Sequence, residues 1–269
     1  MFDVKIHESS AENDWLVRQF EILKFADANL EEKFIPRPDI SIVFHFKDQP
    51  LISSEKKIQL EPYFVGPIVP SSMVLNFHGE MDTFIAICKP TVFTRVFNVN
   101  LTPVKKRSIN LPAAIFSKLW SDLKQLETTE ERIDHFTSFV NSYQPTPYQP
   151  DAIDLFYNKI TRQNGEVHLK DLARECPACE RTLERNFVKR TGVTPKMLMR
   201  IVRLDALWAK IKEQQKIDFQ ELVFDGHFYD QAHFIKDFKS IMHETPGSFF
   251  NRNLQLAKMF SGKSEGTIG

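Results

Sequence analysis

Residues 183–195 read LERNFVKRTGVTP and residues 234–246 read FIKDFKSIMHETP. Leu183, Phe187, Thr194 and Pro195 of the first stretch return as Phe234, Phe238, Thr245 and Pro246 of the second, each 51 residues later. One segment has been built twice. Residues four apart on a helix share a face, so Leu183 with Phe187, and Phe234 with Phe238, predict a buried stripe in each copy. Thr accepts from the free N–H groups of a first helical turn and Pro suits the first helical position, so each Thr-Pro starts a further helix.

Working outward, each copy reads as two short helices separated by a tight break. In the first, residues 169–175 carry Leu172 and Ala173 on one face, Cys176-Pro177-Ala178 breaks the helix, and residues 180–190 resume it. In the second, Asp218 with Glu221 three residues on has capping-box spacing, Asp225-Gly226 supplies the break, and Asp230 is placed to cap residues 231–242. Helix, short turn, helix is an arrangement that presents its second helix to DNA.

The outward faces carry the chemistry. Arg181, Arg185 and Lys189 recur every four residues, about 200° from the apolar stripe at 100° per residue. Glu180, Thr182 and Glu184 complete the candidate DNA-contacting set on this helix. In the second copy Gln231, His233, Lys236 and Lys239 surround the apolar stripe of Phe234, Phe238 and Ile241, with Asp237 interrupting them. A basic stripe on an arbitrary helix is usually a solvated face. The duplication favours DNA contact here.

The stretch 171–204, DLARECPACERTLERNFVKRTGVTPKMLMRIVRL, resembles the first motif of the paired helix-turn-helix domain of AraC/XylS-type transcription regulators. It has the Ala before the turn, the Leu-x-Arg-x-Phe of the recognition helix, Thr-Gly and the later Arg-Leu. The stretch 224–246, FDGHFYDQAHFIKDFKSIMHETP, is similar to that family's second motif. The resemblance covers roughly residues 153–252. It departs from the family pattern at Cys179 and Ala232, where Ser is usual, and at His243-Glu244, where Thr-Gly usually closes the helix. A helix from Pro195 to about Gln214 would join the copies, and about 20 residues at 1.5 Å each span roughly 30 Å. One turn of B-DNA is about 34 Å, so two recognition helices could enter successive major grooves, with Arg181 and Arg185 reaching purine edges or phosphates.

Composition bounds this reading. The 269 residues can bury a sizeable core and are long enough for two domains. Thirty-five Lys plus Arg balance 35 Asp plus Glu, so the chain as a whole has no nucleic-acid signature. Residues after 150 hold 19 basic and 16 acidic side chains, against 16 and 19 before it. Affinity for DNA must then come from the placement of individual Arg and Lys side chains, and non-specific binding should be modest and salt-sensitive. No apolar run approaches the roughly 18 to 20 residues a membrane span needs, and Met1 to Ser10 has no signal-peptide core, which predicts a cytoplasmic protein. Three cysteines fit a reducing compartment. Cys176 and Cys179 have the Cys-x-x-Cys spacing of redox and zinc sites, but the turn between two helices accounts for them, and no second pair follows.

The first half is a different object. Residues 40–46 (ISIVFHF), 73–77 (MVLNF) and 84–88 (FIAIC) are β-rich runs between Pro- and Ser-bearing turns. From Leu111 the pattern turns helical: Ile115, Leu119 and Leu123 predict a helix from Pro112 through Leu126, and Ile133, Phe136 and Val140 a second after Thr128 or Thr129. Residues 142–150 (SYQPTPYQP) read as a stiff linker. The layout is similar to the cupin-like or related regulatory half of one branch of the same family. Twenty-four Phe residues serve mainly as core, and a pocket where strands meet has His45, His78, Glu80 and Arg95 as polar candidates. His78-Gly79-Glu80 lacks the further ligands of a cupin metal motif.

The expected fold is therefore an α+β N-terminal domain, a small β-sheet or cupin-like barrel plus helices, over residues 1–141, a linker 142–150, an all-α domain with two helix-turn-helix units over 151–255, and a tail 256–269 that is disordered from Ser261. The expected function is sequence-specific, double-stranded DNA binding in transcription regulation, modulated through the first domain. The implied partners are a small-molecule effector at the N-terminal domain, a second copy in a homodimer, and RNA polymerase if the protein activates. No cofactor, metal or membrane is expected. The competing reading keeps DNA binding but gives the first domain only dimerisation or recruitment of a protein. An enzyme reading has one form, a DNA-repair methyltransferase using Cys88 as acceptor; no catalytic motif supports it.

Overall fold

Two long strands organise the first half of the chain. In a computed structural model, which describes residues 2–53, 57–102, 107–143, 148–168, 180–211, 230–251, 254–260 and 262–268, β2 (Val17–Phe34) and β7 (Met73–Cys88) run antiparallel over almost their whole length. Around them lie β1 (Phe2–Glu8), β3 (Ile40–His45), β4 (Leu51–Ser53), β5 (Ile58–Gln59), β6 (Tyr63–Gly66), β8 (Ile109–Asn110) and β9 (Gly266–Ile268). Among the described residues the sheet has nine strands in the order β8-β6-β3-β7-β2-β1-β9, with β4 bridging β7 and β5 beside that path. The sequence reads residues 73–77 and 84–88 as separate runs, but they are the two ends of one strand. Pairing with β2 carries the chain straight through His78-Gly79-Glu80, with a register shift between Phe25 and Ala28 opposite.

Side chains alternate across a strand, so this sheet has two distinct faces. Ile40, Ile42 and Phe44 of β3 and Phe84, Ala86 and Cys88 of β7 point to one side, where they pack with α1 (Pro90–Phe97), α2 (Ala113–Gln125) and α3 (Thr129–Ser142). Phe136 of α3 lies 5.8 to 6.1 Å from the rings of Phe20, Phe44 and Phe84. Both predicted helices are present, and Thr128 forms a full capping box with Glu131. The odd-numbered residues of the same strands, Ser41, Val43 and His45 with Met81, Thr83 and Ile85, face the other side.

The second half is helical: α4 (Ala152–Arg162), α5 (Glu180–Thr191), α6 (Pro195–Ile211), α7 (Gln231–Met242), α8 (Pro246–Phe250) and α9 (Gln255–Phe260). Asp151 caps α4, Thr194 accepts from the Met197 N–H at the start of α6, and Thr245 caps α8, so both Thr-Pro pairs do what their echo predicts. The expected first helix of each unit, the break at Cys176 to Cys179 and the turn at Asp225-Gly226 lie outside the described residues. Helix α6 ends within them at Ile211, a rise of about 25 Å at 1.5 Å per residue.

One expectation is overturned. Of the tail expected to be disordered from Ser261, residues 262–268 are described; they follow α9 and end in β9, which pairs antiparallel with β1. Gly266 sits opposite Val4, Thr267 opposite Asp3 and Ile268 opposite Phe2. A small, polar composition signals disorder only when no sheet edge is within reach, and β1 offers such an edge.

Candidate nucleic-acid interface

Helix α5 turns its apolar stripe inward. Leu183 and Phe187 are 3% and 0% exposed, and the Phe187 ring meets that of Phe156 on α4 edge-on at 5.2 Å. Arg181, Glu184, Arg185 and Lys189 are exposed and Thr182 is half-buried, while the Glu180 side chain lies outside the described residues. Arg190, next to the basic stripe in sequence, belongs to a different structure: it bonds the Thr91 carbonyl and pairs with Asp151 and Asp154.

Helix α7 is built the same way. The Asp230 carboxylate accepts from the His233 N–H at 2.7 Å, so Asp230 is the N-cap. Phe234 and Phe238 are buried against Trp208 and Phe249, and Gln231, His233, Lys236 and Lys239 are exposed. Asp237, expected to interrupt the donor face, is turned away from it. Its carboxylate pairs with Arg200 of α6 at 3.0 Å and approaches Arg203 at 3.9 Å. Burial pulls the Arg203 guanidinium below its ordinary range, and Asp237 opposes that shift. The acid is thus used to dock α6 on α7, and the outward face is free of it.

The two helices close differently. The first ends on Gly192 at φ +82°, whose N–H bonds the Val188 carbonyl; its counterpart 51 residues on is His243 at φ +59°. A left-handed residue suits glycine, and a histidine there needs support from outside the helix. The first domain supplies it. The Lys33 ammonium donates to the Met242 carbonyl at 3.0 Å and pairs with Glu244, the Ser72 N–H donates to the Ile241 carbonyl at 2.8 Å, and the Ser72 hydroxyl donates to the Met242 carbonyl at 3.1 Å. A cation at a helix C-terminus is also favoured by the helix dipole.

Both units are therefore seated on the N-terminal sheet and its helices. Leu183, Phe187, Val193 and Leu198 share one hydrophobic cluster with Val92 and Phe93 of α1. Ile35, just past β2, is buried in the cluster of Leu207, Trp208, Phe234 and Phe238. Nothing in the sequence marks Lys33, Ile35 or Ser72, because their partners lie some 170 to 210 residues away and no periodicity connects them.

The face of the sheet opposite the helices encloses a cavity of about 90 Å³, walled mainly by Val43, Leu60, Phe64, Leu75, Phe77 and Ile85. Of the four polar candidates, His45 alone lines it. Its Nδ1 lies 2.8 Å from the Thr83 hydroxyl, its Nε2 is buried without a hydrogen-bond partner, and burial pushes its pKa down to about 3. His78 is exposed, Glu80 pairs with Lys47 at 3.2 Å, and Arg95 sits over Tyr148 beside Asp154. The buried pair of Arg37 and Glu21, 2.7 Å apart, forms another part of the cavity wall. Cys88 is fully buried on the opposite face, and burial raises its thiol pKa well above the ordinary value, which disfavours the thiolate an acceptor would need. Among the described residues no group of three or more His, Cys, Asp or Glu is placed to hold a metal ion, and no helix is long and apolar enough to cross a membrane.

A family model described as a helix-turn-helix domain matches residues 172–252, spanning both copies of the repeat. This region is an AraC-type DNA-binding domain. Among its described residues, α5 and α7 carry the exposed donors named above, and its role is in transcription regulation. Among solved structures, ToxT from Vibrio cholerae aligns over 93% of this chain and 98% of that one at 12% identity, with a TM-score of 0.47. ToxT from the same organism bound to (E)-4-(8-methylnaphthalen-1-yl)but-3-enoic acid gives the same figures. The AraC-like transcriptional activator CuxR aligns over 76% of this chain and 86% of that one at 10% identity, with a TM-score of 0.25. At these TM-scores the likeness carries no argument about function. No curated protein matches in sequence.

Proposed function

We propose that this AraC-type regulator reads two adjacent DNA segments with α5 and α7, and that its first domain sets the competence of both helices in response to a small, mainly apolar effector in the sheet's cavity. The observation that carries this reading is the shared seating: one hydrophobic cluster joins α5 to α1, and Ile35, Lys33 and Ser72 hold α7. Lys33 also lines the cavity, so the same side chain borders the effector space and the end of a recognition helix. A ligand that prefers one arrangement of these contacts shifts the population able to place both helices on DNA, by no more than its difference in affinity for the two arrangements.

On DNA, Arg181, Arg185 and Lys189 from α5 and Gln231, His233, Lys236 and Lys239 from α7 are the proposed contacts, with Glu180, Thr182 and Glu184 flanking them. We assign the sensing portion to residues 1–141 and the DNA-reading portion to 151–255, and we assign no catalysis to the chain.

Thermal-shift screening of the full chain against small apolar metabolites tests the effector reading. A compound that raises the melting temperature must also change the affinity for DNA. A stabilising compound that leaves DNA affinity unchanged contradicts it, and a screen with no stabilising compound transfers the first domain to dimerisation or partner recruitment.

A further inference from the structure

Residues 255–260 and 262–268 leave the DNA-binding domain and return to the first. Met259 is buried against Val4, Leu23, Phe25 and Met81, and Phe260 stacks on Phe77 with ring centroids 4.6 Å apart and planes 12° from parallel. Phe260 lies at the cavity, and its ring is only half-buried. Beyond it, Gly262 at φ +67° lies over the Glu21–Arg37 pair; a Cβ there would come within 2.2 Å of the Glu21 carboxylate and 2.9 Å of the Arg37 guanidinium. Lys263 then pairs with Asp205 of α6 at 2.6 Å, Glu265 accepts from the Ile6 N–H at 2.7 Å, and the three residues of β9 complete the strap.

Most of this strap is held by little. Beyond Phe260, a three-residue ladder at a sheet edge, the Lys263–Asp205 ion pair and the side-chain hydrogen bonds of Glu265 with Ile6 and of Thr267 with Asp3 belong to the low-stability end of local opening. Phe260 sets a flat apolar ring at the cavity, stacked on Phe77 and 5.9 Å from Phe25. A phenyl group tethered to the chain thus already lies against the cavity wall.

Resting on the effector reading above, we infer that the Phe260 ring is a built-in occupant of the cavity's mouth, and that the effector is a small, flat, apolar molecule that takes its place and frees the strap from the sheet. Losing the strap also loses the Lys263–Asp205 tie, so occupancy of the cavity is felt on α6, the helix that leads from one DNA-reading unit toward the other.

The probe is 4-fluorotoluene, followed by fluorine NMR with the full chain, alongside amide exchange at residues 2–6 and 266–268. Wild type is expected to bind it and to show faster exchange in both strands on binding. Phe260→Ala is expected to bind about tenfold tighter, the factor recovered when a receptive state populated about one part in ten becomes dominant. Gly262→Val, which keeps the ring but forces the strap off the Glu21–Arg37 pair, should move affinity and exchange in the same direction. Binding that leaves exchange unchanged, or that neither substitution tightens, makes Phe260 a fixed wall and overturns the inference while the effector reading stands. Absence of binding to wild type and to both variants overturns the inference and removes a small flat apolar effector from the proposed function.

Discussion

Acid should destabilise this protein through a single buried imidazole. His45 is 3% exposed beside the cavity, and burial holds its pKa at about 3 against an ordinary value of 6.5. Between those values the unfolded chain takes up a proton that the folded chain refuses, so unfolding gains as pH falls and the contribution of His45 is complete only above pH 6.5. At about pH 5 the unfolded state lies roughly 1.5 pH units below its own pKa, which at 1.36 kcal/mol per unit amounts to about 2 kcal/mol. Carboxylates titrate over part of the same range, so the measurement is a difference: urea unfolding of wild type and of His45→Gln at intervals from pH 8 to pH 5. Glutamine can keep a hydrogen bond to Thr83 and has no proton to gain. The wild-type curve should fall below the variant's by about 2 kcal/mol over that interval, after alignment at pH 8. Parallel curves would show that the fold does not hold His45 neutral, and would refute the account of His45 as an imidazole kept uncharged by burial.

Three further outcomes follow from the packing. Phe187→Ala empties the centre of the cluster that joins α5 to α1, and should cost about 3 to 5 kcal/mol in denaturant unfolding, a cost below 1 kcal/mol being incompatible with its burial. Asp230→Ala removes the cap of α7 and should cost about 1 kcal/mol, read by the same method, with the loss concentrated in amide exchange of residues 233–236. Ile35→Asp places a carboxylate among Leu207, Trp208 and Phe234; exchange should rise along residues 234–242 and stay unchanged along 183–191, and an equal rise in both would mean that the two units are not seated separately.

The DNA-reading half was legible because its signals are local. The i, i+4 spacing of Leu183 with Phe187 and of Phe234 with Phe238 sets the buried stripe, and Thr194 and Thr245 each sit two residues or fewer from the helix they start. The outward faces followed from the same period, and only Asp237 was misplaced, because an acid on a helix surface does not announce that Arg200 of a neighbouring helix will claim it. The first domain was legible in kind and not in extent. Its strands alternate as expected, yet residues 73–77 and 84–88 read as two separate runs, because only pairing with β2 carries one strand through the residues between them. What joins the halves could not be read at all. Lys33 with Met242, Ser72 with Ile241 and Gly266 with Val4 are long-range pairings of ordinary residues, and the small, polar residues 262–268 become ordered because a strand edge and the Glu21–Arg37 pair receive them. The four polar pocket candidates were scattered for the same reason: strand parity, visible once the register is known, separates His45 from His78 and Glu80, and Arg95 lies on α1.

The most direct test of the central claim is selection of genomic fragments by the purified protein, followed by binding of the best site to wild type, Arg185→Ala and Lys236→Ala across several salt concentrations. Two major-groove segments about one turn apart predict a site of roughly 15 to 20 base pairs. A base-reading Arg185 predicts that its loss relaxes preference at defined positions and costs about 1 to 3 kcal/mol, while a phosphate-binding Lys236 would weaken all sequences alike and lower the salt slope by about one. Weak, sequence-blind binding that neither substitution alters would contradict the assignment of α5 and α7 as the helices that read DNA.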